Sequence, residues 1–277
     1  MEHMGDNNKF LISNFKFLKL LRVWLRISFL AAQSQLLTNW SGVLFIIGKI
    51  VRFIIFFIFL FSVLSGVKVL AGYSREQVIL FFLIFNLIDI AAQFLFRGVY
   101  QFRSSIATGN FDLDLLKPMP SFFRPVFGWT DILDFITLMP LLIYIIYFAT
   151  VNSLVGSFTY WLLFLFLFIN ALFISFSFHL IVCAVGVMTL EVDHLVWVYR
   201  DLTNMARFPT DMYPKVIQSL LTFTIPVIIL ITVPAKGLLG ILSWQWIILS
   251  LIVGILSLVL SLNFWRYALK KYSSASS

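Results

Sequence analysis

The chain has 277 residues, of which 61% are hydrophobic and 12% charged, and its net charge is +8. Soluble domains carry charge on about a quarter of their residues, so this composition excludes a soluble domain and predicts an integral membrane protein. The basic charge is typical of the cytoplasmic loops of membrane proteins and predicts no nucleic-acid partner. The single cysteine, Cys183, lies in an apolar run and excludes a disulfide framework.

Residues 9–35 are predicted to form an amphipathic interfacial helix. Viewed down the helix axis, five cations lie within an arc of about 140°: Lys9, Lys16, Lys19, Arg22 and Arg26. Such a helix turns its apolar side toward the acyl chains and its cations toward anionic headgroups, so membrane lipids are expected partners. A simple anchor and an added contact with a partner subunit are both open.

The apolar runs predict an all-α fold of six transmembrane helices in a single domain, residues 1–277. Five spans are placed at residues 46–69, 77–96, 128–147, 160–188 and 244–264. The fifth of the six lies within 191–233 and is ambiguous. Either 191–211 is a cytoplasmic helix and 214–233 a span, or 191–211 is a protein-enclosed span and 214–233, which contains Pro226, is a re-entrant outer hairpin.

The second predicted span carries an intramembrane polar stripe. Asn86, Asp89 and Gln93 follow each other at i, i+3 and i+7, which places them on one side of a helix. Such a stripe faces the bundle interior or a partner chain rather than lipid, and a structural hydrogen-bonded role is preferred over a functional one. Asp131 and Asp134 begin the third span, where the helix macrodipole favours acids.

The loop at residues 97–127 is too polar to face lipid and predicts a short docked cytoplasmic helix between the second and third spans. Gly109 allows a sharp entry, and Asn110, Asp112 or Asp114 caps the helix. The remaining candidate residues are an apolar surface of Leu113, Leu115 and Leu116, two cations able to meet acidic groups on a partner, Lys117 and Arg124, and a terminator, Pro118. This loop is interpreted as the place where another protein binds.

The distribution of cations predicts that both termini are cytoplasmic. Fourteen of the twenty Lys and Arg residues lie in the segments assigned to the inside, and three lie in the segments assigned to the outside. The choice of fifth span does not change this orientation.

The sequence lacks a Walker phosphate loop, a His-Glu-x-x-His motif, a Cys/His cluster and a Gly-x-Ser-x-Gly elbow. No catalytic residues and no metal site are predicted. Transport against a gradient would therefore draw on ions or on a separate subunit.

The central loop resembles a six-span family of ABC-type exporter permeases, which belongs to the type-2 permease superfamily, also called type V exporters. Its stretch from Ile106 to Pro118 is similar to the I-x-x-G-x-x-D-x-x-L-x-x-P signature of that family. Gly72-Tyr73-Ser74-Arg75-Glu76 resembles the family's turn before the second span. The prolines at 209, 214, 226 and 234 resemble its outer region, so the similarity extends from about residue 16 to 239.

The resemblance implies a membrane-spanning permease without its own ATPase site, in a bacterial cytoplasmic membrane. It implies a second permease, identical or related, and two copies of an ABC ATP-binding subunit that binds ATP and Mg. The cytoplasmic coupling helix would carry Gly109, Asn110, Asp112, Asp114, Leu115, Leu116, Lys117 and Pro118. It also favours the re-entrant reading of residues 214–233.

Two rival functions remain open at this point. An ion-coupled secondary transporter would use Asp89 as a relay, but the chain shows no convincing internal repeat. A lipid-modifying membrane enzyme would need Asp131 and Asp134 beside His194 or Arg200, and nothing in the sequence places them together.

Overall fold

The computed structural model describes the backbone of residues 3–36, 69–70, 72–190, 192–223 and 226–273, with scattered positions between 43 and 62. The predicted first span, residues 46–69, lies mostly outside the described residues. In the described part, four helices are long and apolar enough to cross a membrane. The fold is therefore that of an all-α membrane protein, and the count of six spans stays a prediction.

The described elements are α1 (His3–Leu36), β1 (Val69–Leu70), β2 (Tyr73–Ser74), α2 (Arg75–Phe96), α3 (Val99–Ala107), α4 (Asn110–Leu115), α5 (Phe123–Phe127), α6 (Ile132–Val151), α7 (Phe158–Thr189), α8 (Val192–Asn204), α9 (Lys215–Phe223), α10 (Val233–Leu238) and α11 (Trp244–Lys270). Two 3-10 turns, Met205–Arg207 and Thr210–Met212, follow α8, and a π-helical turn, Ile228–Thr232, precedes α10. The four candidate spans are α2 with α3, α6, α7 and α11.

Helix α2 is the most enclosed of the candidate spans. It begins with a capping box, in which the Ser74 hydroxyl accepts from the Gln77 N–H and the Gln77 side chain accepts from the Ser74 N–H. In its most apolar stretch 72% of the residues are buried, against 17% for α11. Helix α2 is therefore surrounded by protein, whereas α11 turns most of its surface outward.

The start of α6 differs from the predicted third span, 128–147, because the helix begins at Ile132 and ends at Val151. Asp131 is extended, with φ −108° and ψ 115°, and its carboxylate accepts the Leu133 N–H at 2.9 Å. This N-cap sets the helix start four residues beyond the beginning of the apolar run. Hydropathy predicts where the apolar run begins, whereas the N-cap residue determines where the helix begins.

Helix α1 covers the predicted interfacial segment and extends it toward the N-terminus. Its C-terminal end is bound to the start of α6 through Gln35, whose Nε2 donates to the Thr130 carbonyl at 3.0 Å. The Gln35 Oε1 accepts the Ile132 N–H at 3.1 Å. Trp24 lies edge-on to Phe94 of α2, with ring centroids 5.8 Å apart. The end of α1 is thus joined to the bundle by specific contacts.

Helices α7 and α11 pack closely around one buried amide. The Asn170 Nδ2 donates to the Ser250 carbonyl at 2.8 Å. A Cβ atom at Gly254 would lie 2.0 Å from the Asn170 Oδ1, so only glycine leaves room for this side chain. The amide and the glycine together set how close the two helices lie.

The charged segment after α7, residues 192–212, runs alongside α2 and α3, from α3 to the turn before α2. At its start Asp193 pairs with Arg103 of α3 at 2.8 Å. Near its end Asp211 accepts a hydrogen bond from Tyr73, which precedes α2, at 2.5 Å. After α9 the chain reverses, and Lys236 in α10 pairs with the same Asp211 carboxylate at 2.9 Å. The hairpin of α9 and α10 therefore begins and ends near Asp211.

Candidate functional site

Helix α4 is the short helix expected in the central loop, and it begins directly after a left-handed residue. Gly109 has φ +73°, a conformation that favours glycine, which confirms the sharp entry expected there. The helix ends at Leu115, and Pro118 follows within three residues. The predicted side-chain cap is wrong, because Gly109 is itself the N-cap residue and no side chain caps the helix.

The three polar residues proposed as caps are engaged elsewhere. The Asn110 amide donates to the Thr108 hydroxyl at 2.8 Å. Asp112 lies beside Tyr272, where burial and this neighbouring carboxylate raise the pKa of the Tyr272 hydroxyl to about 12. Asp114 is bound to cations of the same loop. The acids of α4 therefore fasten the loop to its own surroundings.

The two cations expected to meet a partner are both paired within the loop. Lys117 Nζ lies 2.6 Å and Arg124 Nε 3.1 Å from the same Asp114 oxygen. The Asp114 side chain is 14% exposed, whereas those of Lys117 and Arg124 are 37% and 35% exposed. Two cations share one carboxylate, which leaves the cluster with a net positive charge.

An aromatic cluster anchors α4 to the bundle. The fully buried Phe111 ring lies 5.0 Å from Phe102 of α3, 6.1 Å from Trp265 of α11 and 5.2 Å from Tyr272, measured between centroids. Trp265 Nε1 in turn donates to the Ser121 hydroxyl at 2.9 Å. Sequence reasoning missed this anchor, because nothing singles out Phe111 among thirty-two Phe residues.

Three leucines at the end of the coupling loop helix are exposed. Leu113, Leu115 and Leu116 are 59%, 38% and 82% exposed, respectively. An apolar group of this kind, held on a rigid anchor and rimmed by charges, is typical of a protein contact surface. The sequence predicts these leucines as a surface for a partner, and that assignment stays a prediction.

The intramembrane polar stripe is divided into two parts. Gln93 Nε2 donates to an Asp89 carboxylate oxygen at 2.8 Å, so these two side chains are in contact. Asn86 instead donates to the Phe82 carbonyl of its own helix at 2.8 Å. These intrahelical bonds are those of a structural stripe, and the stripe continues at Arg97, which donates to Gln93 Oε1 at 3.4 Å.

Arg97 joins the end of α2 to the start of α6. It lies 2.9 Å from Asp131 and 3.1 Å from Asp134. The Asp134 side chain is only 2% exposed, so a charge-paired donor is needed to stabilise its ionised form. Asp131 and Asp134, proposed for a lipid-modifying site, are thus bound to Arg97. Among the described residues, no group of His, Cys, Asp and Glu is placed to hold a metal ion.

A second buried polar cluster joins α7 to α8. The hydroxyls of Ser175 and Tyr199 lie 3.0 Å apart. His179 Nδ1 lies 2.8 Å from the Ser175 carbonyl of its own helix. His179 is therefore a buried residue whose ring is hydrogen-bonded within its own helix.

At the end of the bundle where α2 begins, Asp211 contacts both Tyr73 and Lys236. The Asp211 carboxylate accepts hydrogen bonds from the Tyr73 hydroxyl and from the Lys236 ammonium. Behind it, the Thr210 and Thr232 hydroxyls lie 3.0 Å apart and are buried. These contacts hold the hairpin of α9 and α10 to the turn before α2.

These features define a helical membrane protein with an anchored, leucine-faced helix at one end of its bundle. A family model for the ABC-2 family transporter protein matches residues 12–276, and the chain belongs to that family. It is thus an ABC-2 type permease, the transmembrane component of a transporter that works with an ABC ATP-binding subunit. No curated protein and no solved structure matches the chain significantly.

Proposed function

We propose that the chain is the membrane-spanning subunit of an ATP-driven exporter and that α4 is its coupling helix. The observation that carries this proposal is the exposed leucine surface of α4, held on the fully buried Phe111. Family membership supports the ATP-binding partner. The partner offers a groove for Leu113, Leu115 and Leu116 and carries the ATP and Mg that this chain does not bind.

The aromatic anchor supplies a route for mechanical coupling. A displacement of α4 moves Phe111, which packs against Phe102 and Trp265. Because well-packed cores transmit strain rather than absorbing it, the displacement reaches α3 and α11 together. Nucleotide-driven approach of the two ATP-binding subunits then rearranges the spans and extrudes the substrate.

The assembly contains two permeases and two ATP-binding subunits. The second permease is another copy of this chain or a related one, and the substrate pathway lies between the two. Both termini are cytoplasmic in a bacterial inner membrane, so α4 faces the cytoplasm. The cations Lys117 and Arg124 beside α4 agree with the positive-inside distribution.

Residues 192–212 act as the fifth crossing in this assembly, and the hairpin of α9 and α10 is re-entrant from the outer side. The course of the segment from Asp193 to Asp211 supports this assignment, because its ends lie at Arg103 and Tyr73. A segment with this many charges is tolerated at membrane depth only when protein encloses it.

The test replaces Leu115 and Leu116 by aspartate in the tagged full chain. Two carboxylates cannot enter an apolar groove without losing their hydration, so we expect co-purification of the ATP-binding subunit to fall at least tenfold, equivalent to about 1.4 kcal/mol. Membrane insertion and the yield of the permease should be unchanged.

The matched control is Leu190→Asp, which places a carboxylate on another exposed leucine beyond the end of α7. This variant should keep the ATP-binding subunit. If the Leu115 and Leu116 variant keeps the subunit as well as the control does, α4 is not the coupling helix.

A further inference from the structure

A cleft of about 580 Å³, lined by both polar and apolar side chains, lies between the interfacial helix α1 and the coupling loop. Its size falls within the roughly 300–1,000 Å³ typical of small-molecule sites. Ile27 and Leu30 of α1 form one wall, and Ser104, Asp114, Lys117 and Arg124 contribute to the other. The α1 wall is mostly apolar apart from Ser34, and the other wall carries the charged side chains together with apolar ones such as Phe102 and Leu113.

The charge in the cleft is not balanced by the described residues. Lys117 and Arg124 share the single carboxylate of Asp114, and Arg124 uses only its Nε for that contact. Within the described part of the chain, the terminal guanidinium nitrogens of Arg124 have no hydrogen-bond acceptor. A guanidinium beside an ammonium suits a phosphate oxygen, because both donate charge-assisted hydrogen bonds.

The position of the cleft indicates a ligand from the membrane surface. Helix α1 has the composition of a helix lying in the headgroup layer, with exposed Arg22 and Arg26 on it. Trp129 also lines the cleft, and tryptophan is enriched at the membrane–water interface. A ligand with a phosphate on one side and a hydrocarbon chain on the other would match both walls.

We infer that this cleft binds the headgroup of an anionic glycerophospholipid, with its phosphate on Lys117 and Arg124 and its first methylene groups along Ile27 and Leu30. The phosphate would contact Lys117 just beyond the C-terminal end of α4, and Lys117 pairs with Asp114 of that helix, so the lipid would stabilise the position of α4. This site depends on the proposed placement of α4 at the inner membrane surface. Its measurement needs no ATP-binding subunit, so the two proposals fail separately.

The experiment titrates the delipidated full chain in mild detergent with dioleoyl phosphatidylglycerol or dioleoyl phosphatidylcholine, and counts bound lipid by native mass spectrometry. We expect preferential binding of phosphatidylglycerol. Lys117→Gln and Arg124→Gln should each weaken the binding of phosphatidylglycerol about fivefold, since one cation near a membrane surface increases the affinity for anionic lipid by about that factor. Asp114→Asn should strengthen it, because the variant frees both cations.

The gain expected for Asp114→Asn separates a binding site from a folding effect, since a misfolded chain would only lose affinity. The matched control is Arg103→Gln, which removes an exposed cation outside the cleft and should leave binding unchanged. Equal loss in this control, equal binding of phosphatidylcholine, or weaker binding by Asp114→Asn would overturn the proposal. Displacement of the lipid by an equal concentration of inorganic phosphate would show a small-anion site instead.

Discussion

The two ends of the bundle differ in how their short helices are held to the rest of the chain. At the α4 end, three leucines are exposed on a helix that is anchored by one buried ring. At the other end, the whole π-helical turn Ile228–Thr232 is buried, and Asp211 binds Tyr73 and Lys236 of the same chain. The α4 end is therefore held in place by an aromatic ring, and the other end by a buried turn and a shared carboxylate.

Loss of the α4 anchor should have the largest effect. Phe111→Ala removes a fully buried ring, which costs about 3–5 kcal/mol in comparable cores. We expect the melting temperature of the purified chain to fall and the ATP-binding subunit to be lost during purification. Phe158→Ala is the control, because Phe158 is 73% exposed. Equal stability of the two variants would show that Phe111 does not anchor α4.

Arg97→Gln tests the charged joint between α2 and α6 and should cost somewhat less. It leaves Asp131 and Asp134 without their cation, and an unpaired buried carboxylate typically costs 3–5 kcal/mol. Because the Arg97 side chain is 22% exposed, we expect about 3 kcal/mol in the free energy of unfolding, measured by denaturant titration in detergent. The double variant with Asp134→Asn should recover part of this loss. A double variant that is no more stable than the single one would contradict the charge explanation.

Asp211→Asn should have the smallest effect and should act only on the hairpin of α9 and α10. The Asp211 side chain is 39% exposed, so its ion pair with Lys236 contributes less than about 1 kcal/mol. We expect faster hydrogen exchange in α9 and α10, with exchange in α4 unchanged. Asp193→Asn, which removes the exposed pair with Arg103, serves as the control and should leave the hairpin protected. Faster exchange throughout the chain would show that Asp211 has no local role.

Local patterns in the sequence predicted the class of the protein and the position of α4. The charge-poor composition requires a membrane, and Gly109 begins a short helix in the polar loop at residues 97–127. Contacts between residues far apart in the chain could not be predicted. The pairing of Arg97 with Asp134 is one example, because nothing near either residue specifies the other.

The coupling loop shows the same limit at the level of single residues. The i,i+3 spacing of Asp114 and Lys117 would have allowed their pairing to be predicted, but nothing in the sequence reveals that Arg124 reaches the same carboxylate. Likewise, Phe111 became recognisable as an anchor only when Trp265 of α11 was seen beside it. Such side chains acquire their roles from tertiary neighbours, which a hydropathy profile does not contain.

The contact of Asn170 with Gly254 constrains how the sequence of this protein can diverge. Any side chain at 254 meets the Asn170 amide, and the amide in turn occupies the space that glycine leaves empty. A side chain at position 254 is therefore accommodated only if residue 170 becomes smaller or its amide moves away from Ser250. The two positions should covary among descendants, and a genome that encodes two diverged permeases should keep a compatible pair in each of them.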